Sequence, residues 1–311
     1  MELKLKVELA DEFDAEKTSA LACRAFGKSG AELSFERFRW TVENGYDRVI
    51  VASAFAGGEK IGQAAAILKR FACNGKVERA AELVDLFVSP DHRDFATVSA
   101  IYRKLKAALG AEQITRIYTY PNPGARLLNR RFFRLNQYEV LPMRVGVSSG
   151  IAWRPGAAAI SVMSDLDEMV AAYDRIAGER SKDGLLWSKV QFRRRISSPV
   201  HRYLMASDGS YALLASPRRI RGVKVLLITA SLQRETRSPG SGRTRALVSK
   251  LCAATGHHLF LYAGWNRQAA FRPGFVVPRF LQGNVFGLQS NFLVSHKDEV
   301  PKVELIDLDY G

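Results

Sequence analysis

Apolar residues recur every three or four positions over 15–26, where Leu21, Ala22, Ala25 and Phe26 share a face, and over 34–43, where Phe35, Phe38 and Val42 do. Both spacings predict helices with one buried stripe. The pattern then changes period. Residues 48–55 are apolar and β-branched, Gly57-Gly58 punctuates them, and 60–71 and 80–88 continue as strands up to Ser89-Pro90. A helix is expected over 97–109, with Val98, Ile101, Tyr102, Leu105, Ala108 and Leu109 on one stripe, followed by a strand over 113–120.

The pattern resets in the Gly/Ser/Pro segment SSGIAWRPG, which is expected to link two domains, residues 1–150 and 151–311. Beyond it, Asp165 and Glu168 have capping-box spacing ahead of Leu166, Met169, Val170, Tyr173 and Ile176. Strands are expected over 202–207, 211–216 and 223–232, then a helix over 244–254 and a strand over 259–263. The second half retraces the first. A shift of 144 positions carries Arg93 onto Arg237, Tyr118 onto Tyr262, Asn122 onto Asn266 and Ala125 onto Ala269, as an internal duplication requires. The fold class expected is α/β (α+β), with two similar domains, each a mixed, mostly antiparallel sheet flanked by helices.

Composition narrows the function. The chain has 311 residues, enough for two domains, and 47% are hydrophobic, enough for two cores. No apolar run is long enough to span a membrane and the first residues lack a secretory core, so the cytoplasm is the expected location. Cys23, Cys73 and Cys252 lie far apart and outside metal-ligand spacing, so neither a disulfide framework nor a metal is expected. The net charge of +15 is uneven, because residues 191–245 hold 12 basic and two acidic residues. Such a stretch attracts an anion or forms a solvated face. Aromatic residues are too sparse among these arginines for a nucleic-acid stacking platform.

One loop combines these cues. Between the strand at 223–232 and the helix at 244–254 the chain reads RSPGSGRTR, so Arg237, Gly240 and Gly242 form Arg-x-x-Gly-x-Gly. Glycines allow close backbone approach, the helix start offers unpaired amides, and Arg237, Arg243 and Arg245 add charge, a combination suited to a diphosphate. A mobile turn is the bland alternative. Strand, loop, helix and a strand ending at Asn266, with Ala269 and Gly274-Phe275 beyond, resemble the GNAT N-acetyltransferase superfamily. The first half is similar through DLFVSPDHRDFATVSAIYRKL and YPNPGARLL.

The resemblance implies an acyl-CoA-dependent N-acyltransferase using acetyl-CoA or another acyl-CoA, with a small-molecule or peptide amine as acceptor. It implies that Leu232 on the splayed strand, Arg237, Ser238, Gly240, Ser241, Gly242, Arg243 and Thr244 of the loop, and Asn266 hold the cofactor. In the first half Ala96 and Val98 stand in the glycine positions, so that copy is expected to bind CoA weakly or not at all. A Gly242→Val change, copying that loop, is accordingly expected to abolish CoA binding. The tyrosine that often serves the family as general acid is absent near Phe271 and Pro273, which leaves a non-catalytic CoA-sensing or partner-docking module as the alternative.

Candidate acids and bases remain open. Glu235 is a base or a partner of Arg234 or Arg237, and Tyr262 is a proton donor to sulfur or a packing residue. Glu82 and Asp85, three apart, would face opposite sides of a regular strand, so at most one could enter a cleft. Trp187 with Phe192 and Arg193 to Arg195 is either a lip for an acidic or carbohydrate substrate or a packed tryptophan under a charged face. The tail VELIDLDYG reads as a closing strand without identifiable chemistry.

Overall fold

The computed structural model describes residues 3–44, 48–73, 76–148, 160–176, 184–220, 222–234, 240–266, 271–282, 286–292 and 302–307. The first half runs β1 (Leu3–Glu8), α1 (Ala15–Phe26), α2 (Phe35–Asn44), β2 (Arg48–Ala56), β3 (Glu59–Cys73), β4 (Lys76–Val88), α3 (Phe95–Ala111), β5 (Arg116–Thr119), α4 (Pro123–Phe133), β6 (Gln137–Val140) and β7 (Met143–Val147). The second runs β8 (Ser161–Met163), α5 (Leu166–Ile176), β9 (Gly184–Leu185), α6 (Lys189–Ile196), β10 (Leu204–Ser207), β11 (Tyr211–Ile220), β12 (Val223–Gln233), α7 (Ser241–Thr255), β13 (Leu259–Asn266), β14 (Phe275–Val276), α8 (Arg279–Gln282), β15 (Gly287–Ser290) and β16 (Lys302–Glu304), then a 3-10 turn over Leu305–Asp307.

Local chemistry sets the helix boundaries. Asp14 caps α1 by accepting the Lys17 N–H at 2.9 Å, and Gly27 ends it in the left-handed region. Asp165 accepts the N–H groups of Asp167 and Glu168 at the start of α5. The reciprocal capping box lies instead on α6, between Ser188 and Gln191.

Two sheets carry the fold, in the orders β1-β2-β3-β4-β5-β15-β6 and β8-β10-β11-β12-β13-β7-β14. Within each, the fourth and fifth strands pair in parallel, β4 with β5 and β12 with β13, and every other described ladder is antiparallel. The mixed, mostly antiparallel α/β architecture is therefore present twice. The sixth place of each sheet is filled from the other half of the sequence: β15 sits between β5 and β6, while β7 pairs with β13 and β14. The halves thus exchange β7 and β15, and β9 of the second half also pairs with β3 of the first. A shared core joins them, in which Val49, Val51, Ile67, Phe71 and Tyr118 of the first sheet meet Leu227, Ala263, Val303 and Leu305. Helix α3 covers the opposite face of the first sheet through Ile101, Tyr102, Leu105 and Leu109, and α7 covers the second through Leu247, Val248 and Leu251. The described segments contain no helix long and apolar enough to cross a membrane.

Candidate functional site

In each sheet the parallel pair holds for only four residues. In the first, Ala80–Leu83 pair with Arg116–Thr119, and beyond them β5 ends while β4 runs on to Val88, which leaves a wedge. Asp85 lies at φ 52° opposite an irregularity between Gln63 and Ala65, a bulge that turns the end of β4 away from β5. Aspartate tolerates this conformation better than most residues, and Arg37, itself buried, holds the carboxylate at 2.5 Å.

Two cavities meet at this wedge. One, of about 240 Å³, is lined by Leu83, Leu86, Tyr120, Asn122, Ala125 and Asn129, among others. The other, of about 310 Å³, is lined by Lys28, Glu32, Arg37, Glu82, Asp85 and Tyr120, among others. Glu82 and Asp85 therefore reach the same cavity, contrary to the regular-strand expectation, because the bulge breaks the two-residue alternation between them. Glu82 is fully buried and paired with Lys69. Burial pulls the Lys69 ammonium below its ordinary range, and the Glu82 charge works in the opposite direction.

Tyr120 lines both cavities. Its hydroxyl is buried without a hydrogen-bond partner among the described residues. Burial, reinforced by the charges of Glu82 and Asp307, holds that hydroxyl well above the usual phenol range, so it stays protonated at neutral pH. An orphaned buried donor in a cleft marks a place for a ligand acceptor.

The helix that follows this wedge has an acidic cap at its start. Asp94 caps α3 by accepting the Thr97 N–H and the Thr97 hydroxyl, both at 2.8 Å, and these bonds lower its carboxyl pKa. The Arg93 guanidinium turns inward and donates to the carbonyls of Ala25 and Val88 at 2.6 and 3.2 Å. The Thr97 amide and the Arg93 guanidinium are thus both engaged within the protein, beside the negative charge of Asp94.

The second wedge is the reverse. Val225–Ile228 pair with Leu259–Tyr262 and the strands then part, but β16 enters the gap and pairs with Gly264–Asn266 of β13. The Glu304 carboxylate accepts the Ser231 N–H at 3.0 and 3.1 Å, and also the hydroxyls of Ser231 and Tyr262. Lys302 Nζ lies 3.3 Å from it. Gly264, at φ 137°, makes the entry possible, because a Cβ there would lie 2.4 Å from the Val303 carbonyl oxygen. The tail read as a chemically silent closing strand is the segment that fills this wedge.

The sequence-predicted residues of this half separate accordingly. Glu235, Arg237 and Ser238 lie outside the described residues. Leu232 is buried in the core beneath α5 and α6. Gly240 is the N-cap of α7, with no side-chain cap bond and open space where a Cβ would stand, so only an approaching ligand would make its missing side chain matter. Ser241 and Gly242 begin the helix and Thr244 is buried. Arg243 is committed to Asp208 and Ser210. Asn266 donates to the Ser231 hydroxyl at 3.0 Å. Tyr262 is buried, stacks on Phe271 at 4.5 Å, and is held well above the usual phenol range by burial and by Glu304.

Trp187 does not form a lip. Its indole donates to Asp307 at 3.1 Å, Phe192 stacks on Tyr173, and Arg195 is buried over the Trp40 ring, while Arg193 is exposed and pairs with Asp167, so the group is a packed tryptophan beside a charged face. Sequence reasoning missed Tyr120, which follows a buried strand, and α4, whose Asn122 cap and Pro123 are a recognisable helix start.

No family model matches the sequence, and no curated protein matches it. Solved structures do. A conserved protein of Enterococcus faecalis, a probable N-acyltransferase, aligns with a TM-score of 0.59 at 13% identity, over 93% of this chain and 72% of its own. A GCN5-related N-acetyltransferase from Kribbella flavida aligns with a TM-score of 0.59 at 14% identity, over 93% and 70%. A tandem GNAT protein from the clavulanic acid biosynthesis pathway aligns with a TM-score of 0.52 at 12% identity, over 84% and 90%. The two wedged sheets and these likenesses agree: the chain has the tandem fold of the GNAT N-acetyltransferases.

Proposed function

We infer that the protein is an N-acyltransferase that takes its acyl group from a pantetheine thioester, as in acyl-CoA, and that the wedge of the first sheet receives the acyl-bearing arm. The observation that carries this reading is the meeting of two cavities at Tyr120, one for a thioester arm and the other for an acceptor amine. Beyond Leu83 the edge of β4 that faced β5 has no strand beside it among the described residues, which suits an extended arm bearing amides.

The residues supply positioning and one proton. An acceptor ammonium is attracted by the Glu82 and Asp85 carboxylates and loses a proton to solvent before attack. The amine nitrogen bonds to the thioester carbonyl carbon and the C–S bond breaks. The Tyr120 hydroxyl protonates the departing sulfur and regains a proton from the nitrogen, leaving an amide and a free thiol.

The first wedge fits the arm of CoA but not its diphosphate, since Asp94 already holds the α3 amide and carries a negative charge. In the second half the start of α7 has no side-chain cap among the described residues, while the wedge is filled. This split favours one competing reading, a duplicated scaffold that binds a CoA species without turnover. Thiol release from acetyl-CoA and acetyl-pantetheine, measured with amino sugars, amino acids, peptides and polyamines, separates the two. Turnover lost in Tyr120→Phe supports the transferase. Saturable binding without thiol release from any pairing supports the scaffold.

A further inference from the structure

We propose that the acyl donor is carried by a protein: an acidic carrier protein bearing an acyl-phosphopantetheine arm, docked on α3 and α4 at the mouth of the first wedge. This rests on the reading that the first wedge takes a pantetheine thioester. The site separates the two ends of such a donor. The arm has a cavity, whereas the loop beside it, which would have to hold a nucleotide diphosphate, carries Asp94 on its amide and turns Arg93 inward. A carrier-borne arm needs no diphosphate cradle, because its single phosphate is attached to the carrier and recognition moves to the carrier surface.

The surface around the mouth has matching chemistry. Helices α3 and α4 carry Arg103, Lys104, Lys106, Arg126, Arg130 and Arg131 and no aspartate or glutamate. None of these six forms an ion pair among the described residues, whereas Lys17, Arg24, Arg37 and Arg39 of α1 and α2 are each paired with a carboxylate. The acidic groups at the ends of α3 are its caps, Asp94 and Glu112, and Glu112 is paired with Arg48 and Arg79, so the six cations leave a net positive field. Two apolar side chains stand within it, Phe95 at 54% and Leu127 at 69% exposure. The Arg131 guanidinium lies 4.8 Å from the centre of the Phe95 ring, and Leu127 is one helical turn before Arg131. Exposed apolar residues bordered by arginines are the composition of a protein interface. Helix α4 also lines the arm cavity through Ala125 and Asn129, so a carrier seated on its outer face would have its arm beside the opening.

The test is a binding titration of the full chain with four probes: a fatty-acid acyl carrier protein loaded with acetyl-phosphopantetheine, the same carrier without its arm, acetyl-CoA, and acetyl-pantetheine. We expect the loaded carrier to bind at least about tenfold more tightly than acetyl-CoA, and its affinity to fall steeply with salt. In an Arg130→Glu/Arg131→Glu variant, checked for an unchanged thermal transition, the preference for the loaded carrier over acetyl-pantetheine should fall by about tenfold or more. Tighter binding of acetyl-CoA than of the loaded carrier, or a preference that survives charge reversal, overturns the proposal and leaves the first wedge as an acyl-CoA site. If none of the three arm-bearing probes binds, the functional reading fails and the proposal fails with it.

Discussion

The two wedges of this molecule start from the same strand pair and end differently. In the first, β4 bulges and runs on past the end of β5, and the gap holds a cavity edged by the buried hydroxyl of Tyr120. In the second, β12 and β13 separate, yet β16 enters and Glu304 takes the Ser231 amide. The equivalent tyrosines make the contrast concrete: Tyr262 donates to the Glu304 carboxylate, whereas Tyr118 donates to the Asp307 carbonyl at 3.4 Å within the shared core. A duplicated fold can thus keep a ligand gap in one copy and convert the other into a seat for its own chain.

The largest effect expected from breaking this comparison is on turnover. Replacing Tyr120 with Phe should lower kcat by about 10²–10⁴-fold, the usual contribution of a positioned general acid. Tyr262→Phe, which alters a buried bond to Glu304, should leave kcat within about tenfold of the parent. Steady-state thiol release measures both, and equal losses would erase the distinction between the wedges.

Stability comes next. Glu304→Ala leaves the Ser231 N–H without its acceptor and Lys302 without its nearest carboxylate, so it should cost about 3–5 kcal/mol in a urea transition. Gly264→Ala forces a Cβ against the Val303 carbonyl and should cost about 1–3 kcal/mol in the same assay. A stable variant at both positions would mean that β16 contributes little to the second sheet.

Smaller effects distinguish the two loops. If the arm lies in the first wedge, Gly242→Val should leave acetyl-pantetheine affinity unchanged, whereas Ala125→Trp, which fills the arm cavity, should abolish it; calorimetry reads both. The smallest effect is on pH dependence. The Asp94 carboxyl is held below its ordinary value of 3.8 by the Thr97 N–H and hydroxyl. Its contribution to stability is therefore full above that value and is lost as pH falls through the depressed pKa. In Asp94→Asn, thermal transitions followed from pH 5 downwards should decline less steeply, and a slope equal to the parent's would remove Asp94 from the account.

Much of the fold was legible because its signals are local. The stripe of Ile101, Tyr102, Leu105 and Leu109 and the β-branched run from Arg48 predict their elements from spacing alone. The traded strands were not legible, since β7 and β15 are short and the sheet each joins is decided by partners more than a hundred residues away. The same limit applies to the wedges. The Arg-x-x-Gly-x-Gly pattern draws attention to the loop at Gly240, but a motif reports its own residues and cannot reveal that residues 302–304 occupy the gap beside it. Tyr120 carries no motif and acquires its interest only through burial and an empty hydrogen-bonding position.

The most direct test of the central claim is amide hydrogen exchange with and without saturating acetyl-pantetheine. New protection is expected over residues 83–88 and 119–125, with none over 229–233 or 302–306. Protection confined to the second pair of segments, with the first unchanged, would contradict it.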